Sequence, residues 1–430
     1  MVQAGSFTAD GLGNITNGLM DSNSASGVHT KLPFAGTYSI GATDTGPMTL
    51  VIPTLGTFSY QVAVPATGTI RFIQNGNAGG QGTGVIRKVT STTKVTIASL
   101  AATWAFGSSG GDFAANRFAA AGTFVANNTG AWTGGVEDTN DNGIVANSVA
   151  FTGSFVAIDP VTGRGTATIA VSNGATTNYS FYPVSGSELI MLSIDSVSAT
   201  APLALFSVNT VTAPSGGWMV STLNFTTVAA LQGVGSANSN IVPYGLLAFA
   251  TFDGKGGLTV STDENLGGTL SSNKYTGTYN VETTGRTTLT GFGTNPIVFY
   301  ISNTVAFAIV GDAGVTSGTL FVQSPPPFSN TSLSGSHQGA SIEAVLPTVT
   351  VEDDSAAPDG AGNYPLNFDT SGPGGPQQGL TLNATYSIDA TGRSPLTSNG
   401  NTIGIAYVLN PSKVLVLSTD ANPKVNSLEQ

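Results

Sequence analysis

The chain has 430 residues, of which only 9% are charged, with 24 acidic against 13 basic side chains and a formal net charge of −11. So few cations argue against nucleic acid as a partner, because neutralising phosphates takes Lys and Arg. The absence of cysteine excludes disulfides, thiolate nucleophiles and cysteine-held metals.

Apolar residues still make up 40% of the chain, enough to fold, so the low charge does not signal disorder. No apolar run approaches the ~18 residues of a membrane span. The start, "MVQAGSFTADG", has neither the basic opening nor the apolar stretch of a secretory signal. Yet Gly-, Ser-, Thr- and Asn-rich composition with little charge suits an exported protein. The expectation is therefore an extracellular or cell-surface chain in a mature or trimmed form, against the alternative of one never exported.

Read along the chain, five markers recur four times. A turn comes first: "DGLG" from Asp10, "NNTG" from Asn127, "DGKG" from Asp253 and "DGAG" from Asp359. An aspartate follows, at Asp21, Asp138, Asp263 and Asp369. Some 17, 17, 16 and 17 residues later comes an aromatic, at Tyr38, Phe155, Tyr279 and Tyr386. Next is "TGR", with Arg164, Arg286 and Arg393; the first copy has "TGP" instead. Then comes an aromatic strand ("FSYQV", "SFYPV", "VFYIS", "IAYVL") and an apolar run, ended in three copies by Asp195, Asp312 or Asp420. These markers define repeats at 1–92, 93–213, 214–324 and 325–430.

Within a repeat, apolar residues alternate with period two between Gly, Asn, Asp or Pro breaks, the pattern of an all-β domain. The second repeat parses into eight strands, near Leu100–Phe106, Ala120–Ala126, Ala131–Glu137, Ser148–Ala157, Gly165–Val171, Asn178–Val184, Glu188–Ile194 and Leu203–Asn209. Short connections favour an antiparallel meander closed into an up-and-down barrel, with a sandwich as runner-up and a β-solenoid third. The first repeat begins too late to include the strand equivalent to "LAATWAF" and is expected to lack it. Either a neighbouring copy supplies that strand or truncation has removed it. "TAPSGG" and "SPPPFSN" read as linkers, whereas "VTSTTKVTIAS" reads as strand with no clear linker.

Motifs for chemistry are sparse. His29 and His337 belong to no motif. Glu137 with Asp138, Asp263 with Glu264, and Glu352 with Asp353 and Asp354 could pair as acid and base. Neighbours on a strand point to opposite faces, however, and "VEDD" before "SAAPDGAG" reads as a solvated loop. Trp104, Trp132 and Trp218 share no repeat position, and Trp104 reads as core.

"DTNDNG" from Asp138 resembles half of a calcium loop. Position 12 is Val149 where a bidentate Glu belongs. The other copies read "DSNSAS", "DENLGG" and "DTSGPG", keeping the leading Asp in all and Asn two later in three. A structural turn at Asp21, Asp138, Asp263 and Asp369 is the expectation. A calcium site at Asp138, Asn140 and Asn142, with Asp141 close by, is the alternative for the second repeat. No other cofactor is expected.

The repeat, with "FTGSF", "GRGTATI" and "YSFYPVSGSELIMLSID" in its clearest copy, resembles those of uncharacterised, secreted, Gly/Thr-rich bacterial surface proteins. That resemblance brings no catalytic residues. The expected function is a non-enzymatic structural protein, a surface or filament subunit self-associating by strand complementation or end-to-end packing. A ligand-binding barrel array, for a glycan or a small apolar molecule, is the alternative.

Overall fold

The structure, a computed structural model, describes residues 1–75, 82–89, 95–112, 116–172, 176–198, 202–237, 240–293, 296–343 and 350–430. The first unit holds β1 (Val2–Ala9), β2 (Asn14–Ser24), β3 (Gly27–Tyr38), β4 (Thr45–Ile52), β5 (Gly56–Ala63), β6 (Ile70–Gln74) and β7 (Thr83–Ile86). They form one open antiparallel sheet in chain order, a half-barrel.

The second unit holds β8 (Ala102–Gly111), β9 (Arg117–Ala126), β10 (Ala131–Asp141), β11 (Ile144–Ile158), β12 (Gly165–Val171), β13 (Thr176–Pro183), β14 (Glu188–Ser193) and β15 (Leu203–Val211). The third holds β16 (Thr226–Ala237), β17 (Asn240–Phe252), β18 (Gly257–Leu266), β19 (Thr269–Val281), β20 (Arg286–Thr290), β21 (Ile297–Ile301), β22 (Ala306–Val310) and β23 (Ser317–Val322). The fourth holds β24 (His337–Ser341), β25 (Val351–Ala356), β26 (Asn363–Gly372), β27 (Gly375–Tyr386), β28 (Arg393–Ser398), β29 (Asn401–Asn410), β30 (Lys413–Ser418) and β31 (Val425–Glu429). Each of these three is a closed eight-stranded up-and-down barrel, its first strand paired with its eighth.

The barrels are plugged by their own side chains, the arrangement small barrels require. In the second unit Trp104, Phe106, Phe124, Trp132, Phe155 and Phe181 fill the interior. Trp132 stacks on Phe124 at 4.0 Å between ring centroids. The recurring aromatic after the Asp is a core residue in units two to four (Phe155, Tyr279 and Tyr386), and Tyr38 packs against the first core.

The "DGLG"-type markers are Asx turns. Asp10, Asn127, Asp253 and Asp359 each accept the backbone N–H groups two and four residues on. The glycine three residues after each (Gly13, Gly130, Gly256, Gly362) has positive φ, which explains why that position is glycine.

Two expectations are corrected. "VTSTTKVTIAS" is not a strand where described: Ile97–Leu100 is a 3₁₀ turn capped by Thr96, and residues 90–94 lie outside the described set. "VEDD" is not a solvated loop but β25, with Asp353 and Asp354 buried. The charges that point inward, Glu352 and Asp354, have partners there. Inside the barrel Lys424 pairs with Glu352 at 3.0 Å, and Asn426 Nδ2 donates to Glu352 and Asp354 at 2.6 Å.

The four units are joined in a ring. β1 and β2 pack on β13, β14 and β15; β8, β9 and β10 on β21 and β22; β17 and β18 on β30, with β16 on β29 and β31. The fourth unit returns to the first, with β24, β25 and β26 packed on β5 and β6. In every joint the early strands of one unit meet the sixth and seventh strand positions of the next. Across the ring, Arg117 of unit two pairs with Glu343 of unit four at 3.0 Å.

Candidate functional site: the joints between units

The four recurring aspartates lie within strands β2, β10, β18 and β26, not at turns. In three copies the Asp sits where the ladder shifts register, at a β-bulge. Its Oδ1 accepts the N–H of the residue ten further on: Lys31 at 2.8 Å, Ser148 at 3.1 Å and Gly379 at 2.6 Å. Those three residues have left-handed φ of 54°, 52° and 65°. The carboxylate bond supports a conformation that non-glycine residues adopt reluctantly. The third copy has an unbroken ladder, and Ser272 donates its hydroxyl to Asp263 instead, at 2.6 Å.

Beyond this local bond, three of the aspartates reach into the next unit. Arg164 Nε and Nη2 donate to Asp21 at 2.7 and 3.0 Å, and the Tyr182 hydroxyl donates at 2.7 Å. Arg286 holds Asp138 at 2.7 and 2.8 Å, with Tyr300 at 2.6 Å. Arg393 holds Asp263 at 2.6 Å through both nitrogens, with Tyr407 at 2.8 Å. Each is a fork-on-carboxylate pair completed by a phenol, and each Asp is 1% exposed or less.

Burial alone would raise the Asp21 and Asp263 carboxyls. The bonds from Arg164 and Tyr182, and from Arg393, Ser272 and Tyr407, outweigh it and hold both below the ordinary aspartate value. Burial and the facing aspartate push the Tyr182, Tyr300 and Tyr407 phenols far up, so they stay donors.

The asparagine two residues after each of these three aspartates completes the lock. Asn23 Nδ2 bridges the carbonyls of Ser193 and Asp195; Asn140 bridges Val310 and Asp312; Asn265 bridges Ser418 and Asp420, all at 2.7–3.0 Å. Around each lock, small residues face large ones. Ala105, Ala119 and Ala121 of unit two pack on Val298, Phe307 and Ile309 of unit three. Val228, Ala230 and Leu247 pack on Ile405, Leu415 and Leu417. Ala4 packs on Tyr182 and Leu192.

The residues expected to hold calcium are thus otherwise engaged. Asp138 gives its oxygens to Arg286, Tyr300 and Ser148. Asn140 faces unit three and accepts Gly143 N–H at 2.9 Å. Asn142 occupies the hairpin corner with φ 51°. Among the described residues no group of three or more His, Asp or Glu is placed to hold a metal. Of the carboxylate neighbours, Glu137 is buried, and burial together with Asp138 pushes it up to about 7. Glu264 accepts bonds from Tyr244 and Thr262. His337 is buried between the Gly335 and Pro411 carbonyls. His29 lies on β3, partnered in register with Ser22. Trp104 and Trp132 are core, and Trp218 packs over Gly285 of the "TGR" turn.

The fourth joint keeps the aspartate, Asp369, and differs at every other lock position. Strand register pairs Arg164 with Tyr182's strand position, Arg286 with Tyr300 and Arg393 with Tyr407. The same register pairs Pro47 with Gln61. Tyr60 is a core residue, equivalent to Phe181 and Phe299, so the aromatic in "FSYQV" is one residue out of step with the locking tyrosines. On the other side Ser371 replaces the asparagine. The position opposite the Asp, which is Ala4, Ala121 or Leu247 in the first three units, is Asp353 in the fourth. This joint is held instead by Glu429 Oε2 accepting Thr69 N–H at 2.7 Å, Thr67 Oγ1 donating to the Gln430 carbonyl at 2.6 Å, and Ser355 Oγ donating to the Thr43 carbonyl at 3.1 Å.

No protein-family model, curated protein or solved structure matched the chain.

Proposed function

We propose that the chain is a non-enzymatic extracellular structural protein, a surface or filament building block whose working feature is its rigid ring of barrels. The observation that carries this reading is where the charge is spent. In a chain only 9% charged, three buried aspartates are held by three arginines, two of them buried, in repeated locks between units. Buried ion pairs contribute less to net stability than to fixing one arrangement over others, and here the arrangement fixed is the relative placement of domains. Self-association has a natural route through the first sheet. Among the described residues, β1 and β7 each have one strand neighbour, so a strand from another copy could extend the half-barrel. End-to-end packing is already used within the chain, where unit four meets unit one.

Light scattering and negative-stain microscopy across a wide concentration range test this reading. The expected result is concentration-dependent assembly, weakened by proline at Gly84 or Val85, one of which directs its N–H away from β6. A monodisperse monomer at every concentration would refute the assembly.

A second reading, a binder of a glycan or small apolar molecule, draws on one cavity of about 310 Å³ between units two and three. Trp218, Phe124, Val211, Thr103 and Thr284 line it. Quenching of tryptophan fluorescence by oligosaccharides, lost in Trp218→Phe, would favour that reading.

A further inference from the structure

The fourth joint has lost a cation and gained an anion. Pro47 stands where units two to four carry Arg, and Asp353 stands where units one to three carry Ala or Leu. Asp353 and Asp369 are direct cross-strand partners on β25 and β26. Partners of that kind project from the same face with Cβ atoms ~5 Å apart. The face is the outer one. Ala356 belongs to the barrel core and Asp354 bonds Asn426, so the alternate residues Asp353 and Ser355 point outward, and Ser355 reaches Thr43 of unit one.

Opposite them lies β5, whose outer face carries Gln61, because Tyr60 beside it points into the first core. Gln61 holds the register position from which Tyr182, Tyr300 and Tyr407 touch the locking aspartates. Its Oε1 is buried without a hydrogen-bond partner in a residue 7% exposed, and Asp353 Oδ1 is likewise unpartnered in a residue 1% exposed. Buried oxygens are rarely left so. Asp369 keeps its bond from Gly379 N–H through Oδ1, which leaves Oδ2 for another partner.

We propose that this seam binds a hard divalent cation, Ca²⁺ in the first instance, between Asp353 and Asp369 of the fourth unit and Gln61 Oε1 of the first. Two carboxylates and an amide oxygen are the ligand chemistry of such ions, and water completes the six to eight oxygens Ca²⁺ takes. The ion then does at this joint what arginine does at the other three, and it ties the closure of the ring to the cation concentration outside. Such a site does not depend on the structural-protein reading, since a binder could close its ring in the same way.

The test is calorimetry and thermal unfolding of the full chain after chelation, with CaCl₂ added and MgCl₂ as the comparison. The expected result is one Ca²⁺ per chain and a saturable rise in Tm of a few degrees, as binding to the folded state alone requires. Asp353→Ala places at this position the residue found in units one and two. It should fold, be at least as stable as the parent in chelator, and bind Ca²⁺ at least ~10-fold more weakly, the loss of one of two charged ligands. Pro47→Arg with Gln61→Tyr should rebuild the lock on Asp369, raising Tm in chelator and abolishing the Ca²⁺ response. Absence of stoichiometric Ca²⁺ binding would overturn the proposal. So would an unchanged Ca²⁺ affinity in Asp353→Ala. A seam that responds to pH in chelator but not to Ca²⁺ would also overturn it, meaning that the carboxyls share a proton instead.

Discussion

Arg286 offers the sharpest test of the lock. Replacing it with Leu removes the bonds at 2.7 and 2.8 Å and leaves Asp138, 1% exposed, with only Tyr300 and Ser148 as donors. Removing one partner of a buried ion pair leaves an uncompensated charge and costs about 3–5 kcal/mol. The triple change Arg286→Leu, Asp138→Leu and Tyr300→Phe removes the charge, its cation and its phenol together. It should recover most of that loss, leaving about 1 kcal/mol for the unpaired Ser148 N–H. A four-unit chain need not unfold in one step, so the quantity to compare is the urea midpoint of one region. Trp104 and Trp132 lie in unit two and Trp218 follows it, so tryptophan fluorescence reports on this joint. The lock is refuted if Arg286→Leu unfolds within about 0.5 kcal/mol of the parent, the range of an ordinary surface change. It is refuted equally if the triple variant is no more stable than the single one, since coupling between the three groups would then be missing.

Three further outcomes follow from the same geometry. Asp21 and Asp263 titrate lower folded than unfolded, so their contribution is complete above the unfolded value of 3.8 and is lost as pH falls through the folded one; circular dichroism should show the joints intact at pH 4 and failing in stronger acid. Glu137 behaves oppositely: its folded carboxyl titrates at about 7, so its burial weakens the fold as pH rises from its unfolded value of 4.5 through 7. Glu137→Gln should therefore raise stability by up to about 3 kcal/mol at pH 8 and change little at pH 4, as thermal melts at the two pH values would show. Asn140→Ala orphans the Val310 and Asp312 carbonyls and should cost about 1–3 kcal/mol, while Asn142→Ala, at the hairpin corner of the same loop, should leave the joint untouched; hydrogen exchange in units two and three separates them.

The all-β class, the repeat and the missing strand were all readable from the chain because each is a local pattern. All eight strands expected in the second unit form, most of them longer than expected, since cross-strand pairing carries a strand past its alternating residues. The role of the aspartates was not readable in the same way. Asp21 and Arg164 are 143 residues apart, and no period within one repeat links them. A clue was nevertheless present in the exceptions. "TGP" departs in the first repeat and "DTS" in the fourth, and these two departures are the opposite sides of a single joint. Aligning "FSYQV" on its tyrosine hid the match, because only strand register shows that Gln61 holds the tyrosine's place. "VEDD" misled for a different reason: its charge reads as exposure until Lys424 and Asn426, some 70 residues on, come to lie beside it.

The Asp–Arg locks also bear on how the molecule responds to salt. Ions in solution screen charges that water reaches and act weakly on pairs sealed from it. The attractions that fix one barrel on the next lie in the sealed class at the first two joints, where both side chains are less than a tenth exposed. A ring cemented in this way should keep its shape from fresh water to brine, and at the third joint, where Arg393 is 29% exposed, it should loosen first.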